Sequence, residues 1–379
     1  MVPSGSCQEY VCYRPALSEP SREPASARQV DGVTRTGLSH HSKVRTVRTV
    51  RKVRTVLLVP VPVLLLAAFI AGCGGSSEPD RLNIAVIPKG TSHAFWQSVH
   101  AGARRAAQEL NVDITWRGPL REDDRDSQVS EVENAVARRV SGIALAPLDE
   151  AALVAPVMSA QRSGVPVVIF DSGLKSGDIV SFVATDNDKG GELAAEHLAK
   201  VLNGKGKAIL MRYAEGHDST RRREDGFLRG LSAHPGIEIL SSNQYVGADV
   251  EGAYKRAETL LTRYKSADGT LGVDGVFAPN ESSAFAVMRV LQDNGWANKV
   301  KFIGFDASDG LLAGLRSGAI EALVVQDPVR MGYLSVVTMV KHLRGEAVEK
   351  RIDTGVHLVT RDALERPDIK QLVQPDLSR

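Results

Sequence analysis

Two aspartates in this 379-residue chain each stand directly after a run of apolar residues, Asp171 after Val-Val-Ile-Phe and Asp306 after Phe-Ile-Gly-Phe. Other polar residues hold the same kind of place. Ser172 adjoins Asp171, Asn280-Glu281-Ser282 follows Phe-Ala-Pro, and Gln326 closes Leu-Val-Val ahead of Asp327-Pro328. Ser92-His93-Ala94-Phe95-Trp96 follows the first apolar run, and Ser219-Thr220 opens a segment that carries Arg221, Arg222 and Arg223 before Gly226-Phe227. Carboxylates accept paired hydrogen bonds from neighbouring hydroxyls, Arg donates in a fixed fork, and Asn and Gln do both. Aromatic rings cover apolar C–H faces. Two carboxylates, an Arg, two amides and two aromatics that converge would suit a small polyhydroxylated ligand.

Each of these residues has a plainer reading on its own. An Asp or Asn at a strand end serves as the N-cap of the next helix, and Ser219-Thr220 can do the same beside a solvated basic face. Phe95 fits the core stripe of its helix, whereas Trp96 lies off that stripe. His93 can be a loop residue. The case for a site rests on their joint placement.

The elements that must position them follow from the hydrophobic period. From Leu82 onward, short apolar runs alternate with segments of helical period. Strands are expected at 82–87, 112–116, 142–147, 165–170 and 179–186, with helices at 94–110, 124–140 and 149–163 between them. The alternation then restarts. Helices are expected at 188–203, 219–233, 250–265, 281–294, 309–316 and 328–344, separated by strands at 207–211, 237–246, 275–279, 299–306 and 321–326. Strands that are apolar throughout and lie between helices imply parallel sheets covered on both faces. The two runs give two doubly wound α/β lobes, and ligands bind beyond the carboxyl ends of strands in such sheets. The last stretch, 361–379, is charged and Pro-containing and reads as a surface tail packed loosely on the second lobe.

The chain ahead of Leu82 is of another kind. Residues 1–43 are rich in Ser, Arg, Pro and Gly and read as disordered, and 44–56 are a basic repeat. The apolar run Val56 to Cys73 ends in Ile70-Ala71-Gly72-Cys73 and precedes a flexible tether, 74–81. Basic region, apolar region and small residues form the order of a secretory signal. The ending resembles the lipobox of bacterial lipoproteins, in which the cysteine is lipid-modified and becomes the first residue. The competing reading is a membrane-spanning helix, which Pro60 and Pro62 and a span of about 17 uncharged residues disfavour. A signal so far into the chain implies a true start near Val44–Val53, which would leave 1–43 untranslated.

Composition narrows the function. Roughly 300 residues after Cys73 suffice for two domains. Much of the basic excess behind the net charge of +2 lies before Cys73, so nucleic acid has no electrostatic case as a partner. Cys7, Cys12 and Cys73 are the three cysteines, so no disulfide crosses the working part. The histidines lack metal-ligand spacing, no cofactor is implied, and no nucleophile-elbow, phosphate-loop or dinucleotide motif argues for an enzyme.

From about Leu82 to Leu358 the chain resembles the periplasmic sugar-binding proteins of ABC transporters, of the ribose-binding type (type I periplasmic binding proteins). The pieces that carry the resemblance are LNIAVIPKGTSHAFWQSV, GIALAPLDEAAL, VPVVIFDS, FVATDNDKGGELAAEHL, STRRREDGF, DGVFAPNESSAFAVMRVL, FIGFDAS and ALVVQDPVRMG. The resemblance implies two lobes joined by three crossings, near Thr185-Asp186, Gln326-Asp327 and 353–358. It gives an N-terminal lobe of 82–185 plus 327–355 and a C-terminal lobe of 186–326 plus 356–379. It implies a hydroxyl-binding role for His93, where the family often has Asn, and a sugar sandwich from Phe95 and Trp96. It further implies ligand contacts from Asp171, Arg223, Asn280, Asp306 and Gln326. Ser172 stands where the family has Arg, and Ala248 where an aromatic is expected, so the pocket should be roomier or differently polar. The expected protein is a monomeric, lipid-anchored binding protein that passes a pentose, hexose or polyol to a membrane permease. A sugar-responsive regulator is the alternative from another class, but it needs an N-terminal helix-turn-helix where an apolar run stands. A protein feeding a chemoreceptor or sensor kinase shares the same core.

Overall fold

The computed structural model describes residues 81–175 and 178–377. Two six-stranded sheets organise them. The first lobe is built from β1 (Asn83–Ile87), α1 (Ala94–Leu110), β2 (Asp113–Trp116), α2 (Arg125–Ala137), β3 (Gly142–Leu145), α3 (Val154–Arg162), β4 (Val167–Phe170) and β5 (Phe182–Ala184). The chain then builds the second lobe from α4 (Asn187–Val201), β6 (Gly206–Arg212), α5 (Asp218–Ser232), β7 (Ile237–Tyr245), α6 (Val250–Thr262), β8 (Gly275–Phe277), α7 (Glu281–Asp293), β9 (Lys301–Phe305), α8 (Asp309–Ser317) and β10 (Ala322–Gln326). It returns through α9 (Pro328–Leu343) and β11 (Arg351–Asp353) to the first lobe, and ends in the second with β12 (Val356–Thr360) and α10 (Pro367–Val373). The strand orders are β11-β5-β4-β3-β1-β2 and β12-β10-β9-β8-β6-β7. The first sheet is parallel throughout; in the second, β12 alone runs antiparallel, to β10. The two doubly wound parallel lobes and the three passages between them therefore match the expected fold class.

Strand alternation explains why both faces carry apolar residues. In β1, Ile84 and Val86 face a core with Val99, Ala103 and Met339, while Ala85 and Ile87 face another with Val132 and Val157. The second sheet repeats this. Ala208 and Leu210 pack with Leu198 and Phe227, and Ile209 and Met211 with Val287 and Leu291.

Each lobe also contains one close helix pair. A Cβ on Gly102 of α1 would lie 1.9 Å from the Val329 carbonyl oxygen of α9, and one on Gly332 of α9 would lie 1.9 Å from that of Val99. In the second lobe a Cβ on Gly191 of α4 would meet the Arg223 oxygen of α5 at 1.9 Å, and one on Gly226 that of Asp188 at 2.2 Å. Only glycine permits this backbone approach.

The three passages are short and capped. Asp186 precedes α4 and accepts from the Lys189 N–H; Asp327 precedes α9, with Pro328 at its first turn, and accepts from the Arg330 N–H. The third passage is Thr354-Gly355. Asp353 gathers it by accepting from the backbone of Asp186 at 3.2 Å and of Gly355 at 2.9 Å.

Most expected elements appear within a few residues, but α3 starts at Val154, not 149, after turns at 148–153. The end of the chain corrects the sequence reading. Residues 361–377 are not a loosely packed tail: Leu364, Ile369 and Val373 are buried in the second lobe's core, and the Arg104 guanidinium donates to the Leu377 carbonyl across to the first lobe. Their apolar residues are too widely spaced among charges to announce burial. The stretch Val56–Cys73 and residues 1–43 lie outside the described residues. Among the described residues no helix is long and apolar enough to cross a membrane.

Candidate functional site

The carboxyl ends of both sheets face one pocket between the lobes. From the first lobe it is lined by Lys89, His93, Phe95, Trp96, Glu122 and Asp171, and from the second by Tyr213, Ser219, Thr220, Arg223, Asn280, Glu281, Asp306 and Gln326. Eight of the nine ligand-binding residues expected from sequence border it. The ninth, Ser172, is fully buried behind the wall, where its Oγ accepts from the Ser219 N–H at 3.1 Å across the lobes.

Asp171 and Asp306 extend β4 and β9 by one residue, each with a backbone N–H bonded to the neighbouring strand (to Val183 and Val324). Both have a positive φ, 59° and 70°, which Asp tolerates better than most residues. Neither caps the following helix. Asp171 pairs with the Lys89 ammonium at 2.7 Å, and Lys89 also donates to Ser219 Oγ at 2.9 Å. Asp306 accepts from Gln326 Nε2 at 2.7 Å and from the Glu281 N–H at 3.0 Å. Burial pushes the Asp306 carboxyl upward, and Arg223 opposes that.

The aromatic pair combines both readings offered for it. Phe95 and Trp96 meet edge to face at 4.8 Å, belong to the first core and border the cavity. Trp96 Nε1 donates to Glu122 at 2.6 Å. Glu122 also receives the Tyr213 hydroxyl from the opposite lobe at 2.9 Å and lies 3.1 Å from His93 Nδ1. Burial works against charge on both partners. The Glu122 carboxylate nevertheless raises His93 to about 9, while His93, Lys89 and Trp96 hold Glu122 well below the usual carboxylate range. His93 is thus an imidazolium tied to a carboxylate.

Arg223 projects from α5 and is 2% exposed. Its Nε donates to Asn187 Oδ1 at 2.7 Å, its Nη1 to the Pro279 carbonyl at 2.9 Å, and its guanidinium stacks on Phe305 at 3.9 Å. These contacts hold it rigidly. Asn280 is the N-cap of α7, accepting from Ser283, so the plainer reading applies to it while it also borders the cavity. Glu281 reaches the other way, accepting from the Phe95 N–H of the first lobe at 3.3 Å.

Sequence reasoning passed over Lys89, Glu122 and Tyr213. Tyr213 directly follows β6, so the strand-end rule points to it. Lys89 lies two residues past β1, where a lysine is normally solvated. Glu122 carries no local signal; it sits in an acidic loop whose path only the fold fixes. Beside His93 and Glu122 a second cavity of about 190 Å³ opens against Ala248 and Asp249. Among the described residues no group of His, Cys, Asp and Glu could hold a metal ion.

Residues 84–347 match the model of the periplasmic binding protein domain. The chain belongs to this family. Its relatives include the ribose import binding protein of Haemophilus influenzae, 28% identical over 298 residues that make up 78% of this chain and 98% of that protein. A carbohydrate transporter solute-binding protein from Agrobacterium radiobacter, solved with D-arabinose, is 36% identical with a TM-score of 0.73, covering 78% of this chain and 99% of that one. A solute-binding protein from Agrobacterium vitis with bound D-fucose is 36% identical with a TM-score of 0.72, covering 77% and 99%. Membership in a periplasmic binding protein family puts the two lobes on the extracytoplasmic side and gives the cleft a binding role rather than a catalytic one.

Proposed function

We propose that this protein captures a small sugar or polyol between its two lobes and presents the closed form to the permease of an ABC importer. The observation that carries the reading is the composition of the interlobe cavity. Phe95 and Trp96, set edge to face, line it from one lobe, and Arg223, Asn280, Asp306 and Gln326 line it from the other. The relatives solved with D-arabinose and D-fucose share the fold. The lobes divide at 82–185 plus 327–355 and 186–326 plus 356–379, in keeping with the sheet memberships. Capture is a hinge motion about the three passages, because the ligand binds the closed arrangement better than the open one. Contacts such as Tyr213 to Glu122 and Ser219 to Ser172 bridge the lobes in that arrangement. The protein works as a monomer held at the membrane by a lipid on Cys73, after removal of the segment before it. Isothermal titration and thermal shift against pentoses, hexoses and polyols test the function. A ligand at a hundred times its Kd adds about 2.7 kcal/mol of stability. No response across that panel and its amino-substituted counterparts overturns the reading. Loss of membrane retention in Cys73→Ser tests the anchor; unchanged retention overturns it.

A further inference from the structure

The charges around the cavity do not balance between the two lobes. On the first-lobe side each carboxylate has its cation: Asp171 has Lys89 at 2.7 Å and Glu122 has His93 at 3.1 Å. On the second-lobe side Asp306 faces the Arg223 guanidinium, whose hydrogen bonds go to neutral acceptors, and Glu281 faces only His93, which is already paired with Glu122. Asp306 holds only an amide and a backbone N–H, and Glu281 only the Phe95 N–H, among the described residues. A third acceptor adjoins them. Gln326 is 2% exposed and turns its Nε2 to Asp306, which leaves its buried Oε1 without a hydrogen-bond partner among the described residues. The need of Asp306 Oδ1 for a donor fixes that amide orientation. This part of the wall is therefore three acceptors wide and short of one positive charge.

A neutral hydroxyl offers one donor and also brings lone pairs, which a wall of acceptors cannot use. An alkylammonium brings three donors, no acceptor and the missing charge. Resting on the function proposed above, we infer that the ligand of this cleft is an amino-substituted sugar or polyol, its ammonium set against Glu281, Asp306 and Gln326 Oε1. The titration of the wall agrees. Burial raises Glu281 to about 7, with Asp306 and Glu122 adding to the shift and His93 opposing it. Asp306, facing Arg223 and Asp171 as well, is also raised by burial. An arriving ammonium displaces the proton that a carboxyl of this wall holds near neutrality; a neutral sugar does not.

The test compares purified full-length protein with paired neutral and amino-bearing pentoses, hexoses and cyclitols, by isothermal titration at pH 7 in buffers of different ionisation enthalpy. Amino forms are expected to bind at least tenfold more tightly than their hydroxyl counterparts and to release on the order of half a proton, as a group with a pKa near the working pH does. Glu281→Gln keeps an acceptor for the Phe95 N–H and should cut the amino preference at least tenfold. Neutral sugars binding as tightly as amino forms, or amino forms binding without proton release, would overturn this inference and leave the sugar-binding function standing. Silence from both sets would overturn both. An amino preference undiminished in a folded Glu281→Gln protein removes the assigned wall.

Discussion

The two lobes are built on one plan and use it differently. Both place a glycine ninth in the helix after their first strand, Gly102 in α1 and Gly226 in α5, against a glycine fifth in the returning helix, Gly332 in α9 and Gly191 in α4. Both end their fourth strand in sheet order of appearance, β4 and β9, with an aspartate of positive φ. Both begin the first helix after a histidine N-cap that makes no side-chain cap, His93 and His217. Yet Asp171 is neutralised by Lys89, while Asp306 has no cation within ion-pair distance among the described residues. His93 is raised to about 9 by Glu122, whereas burial, with Lys89 nearby, lowers His217 to about 3. Equal backbone positions thus carry opposite electrostatics, and side chains arriving from non-equivalent loops decide which. The first lobe's wall is already satisfied by its own partners; the second lobe's wall has acceptor capacity left for a ligand.

That contrast can be broken most sharply at Asp306. Asp306→Ala should weaken ligand binding by about 4 kcal/mol, roughly a thousandfold, because Gln326 Nε2 and the Glu281 N–H lose their acceptor along with the ligand. Affinity within threefold of wild type in a titration would take Asp306 out of the site. Lys89→Met should act on the fold instead. It strands the buried Asp171 charge and should cost about 3 kcal/mol in urea unfolding, whereas Asp306→Asn should leave unfolding within about 0.5 kcal/mol. Equal losses in the two variants would erase the distinction between a paired and an unpaired lobe.

The histidines sharpen the comparison through pH. His93 has a folded pKa above its unfolded 6.5, so its contribution is complete below 6.5 and is lost as pH rises through about 9. His217 has a folded value below its unfolded one, so stability is present above 6.5 and falls as pH drops toward about 3. Each limb can slope by at most about 1.4 kcal/mol per pH unit for one proton. His93→Gln should flatten the alkaline limb and His217→Gln the acid one; a single variant that flattened both, or neither, would contradict the assignment. The smallest effect belongs to Ser172→Ala. It removes one interlobe hydrogen bond and should weaken binding by about 1 kcal/mol, roughly fivefold, with an unchanged ligand preference.

Much of this was readable before the structure. The continuous apolar strands fixed a pair of parallel sheets, because a strand buried on both faces has no polar side to show. The strand-end residues then followed, since the rule places ligands there whatever the sequence between. Lying off the stripe of Phe95, Val99 and Ala103 set Trp96 toward the cleft, which it borders, but the fold also buries it in the same core as those residues, with its Nε1 on Glu122. Glu122 and Lys89 were not legible. A glutamate in the loop between β2 and α2 gains its role only when Trp96, His93 and Tyr213 arrive from three other elements, and a lysine looks solvated until β4 sets Asp171 beside it. The buried end of the chain escaped for a related reason: Ile369 and Val373 share one turn of a seven-residue helix, too short for a period to show.

By itself, then, the sequence determined the alternation of strands and helices, the restart near residue 186, and the polar residues at the ends of the strands. These follow from local periodicity and from which side chains can border a sheet. The tertiary structure decided which of those residues are satisfied and which still face the cleft. Charge pairing depends on distances of a few ångströms between residues such as Lys89 and Asp171, more than 80 positions apart, and no local pattern encodes such a distance.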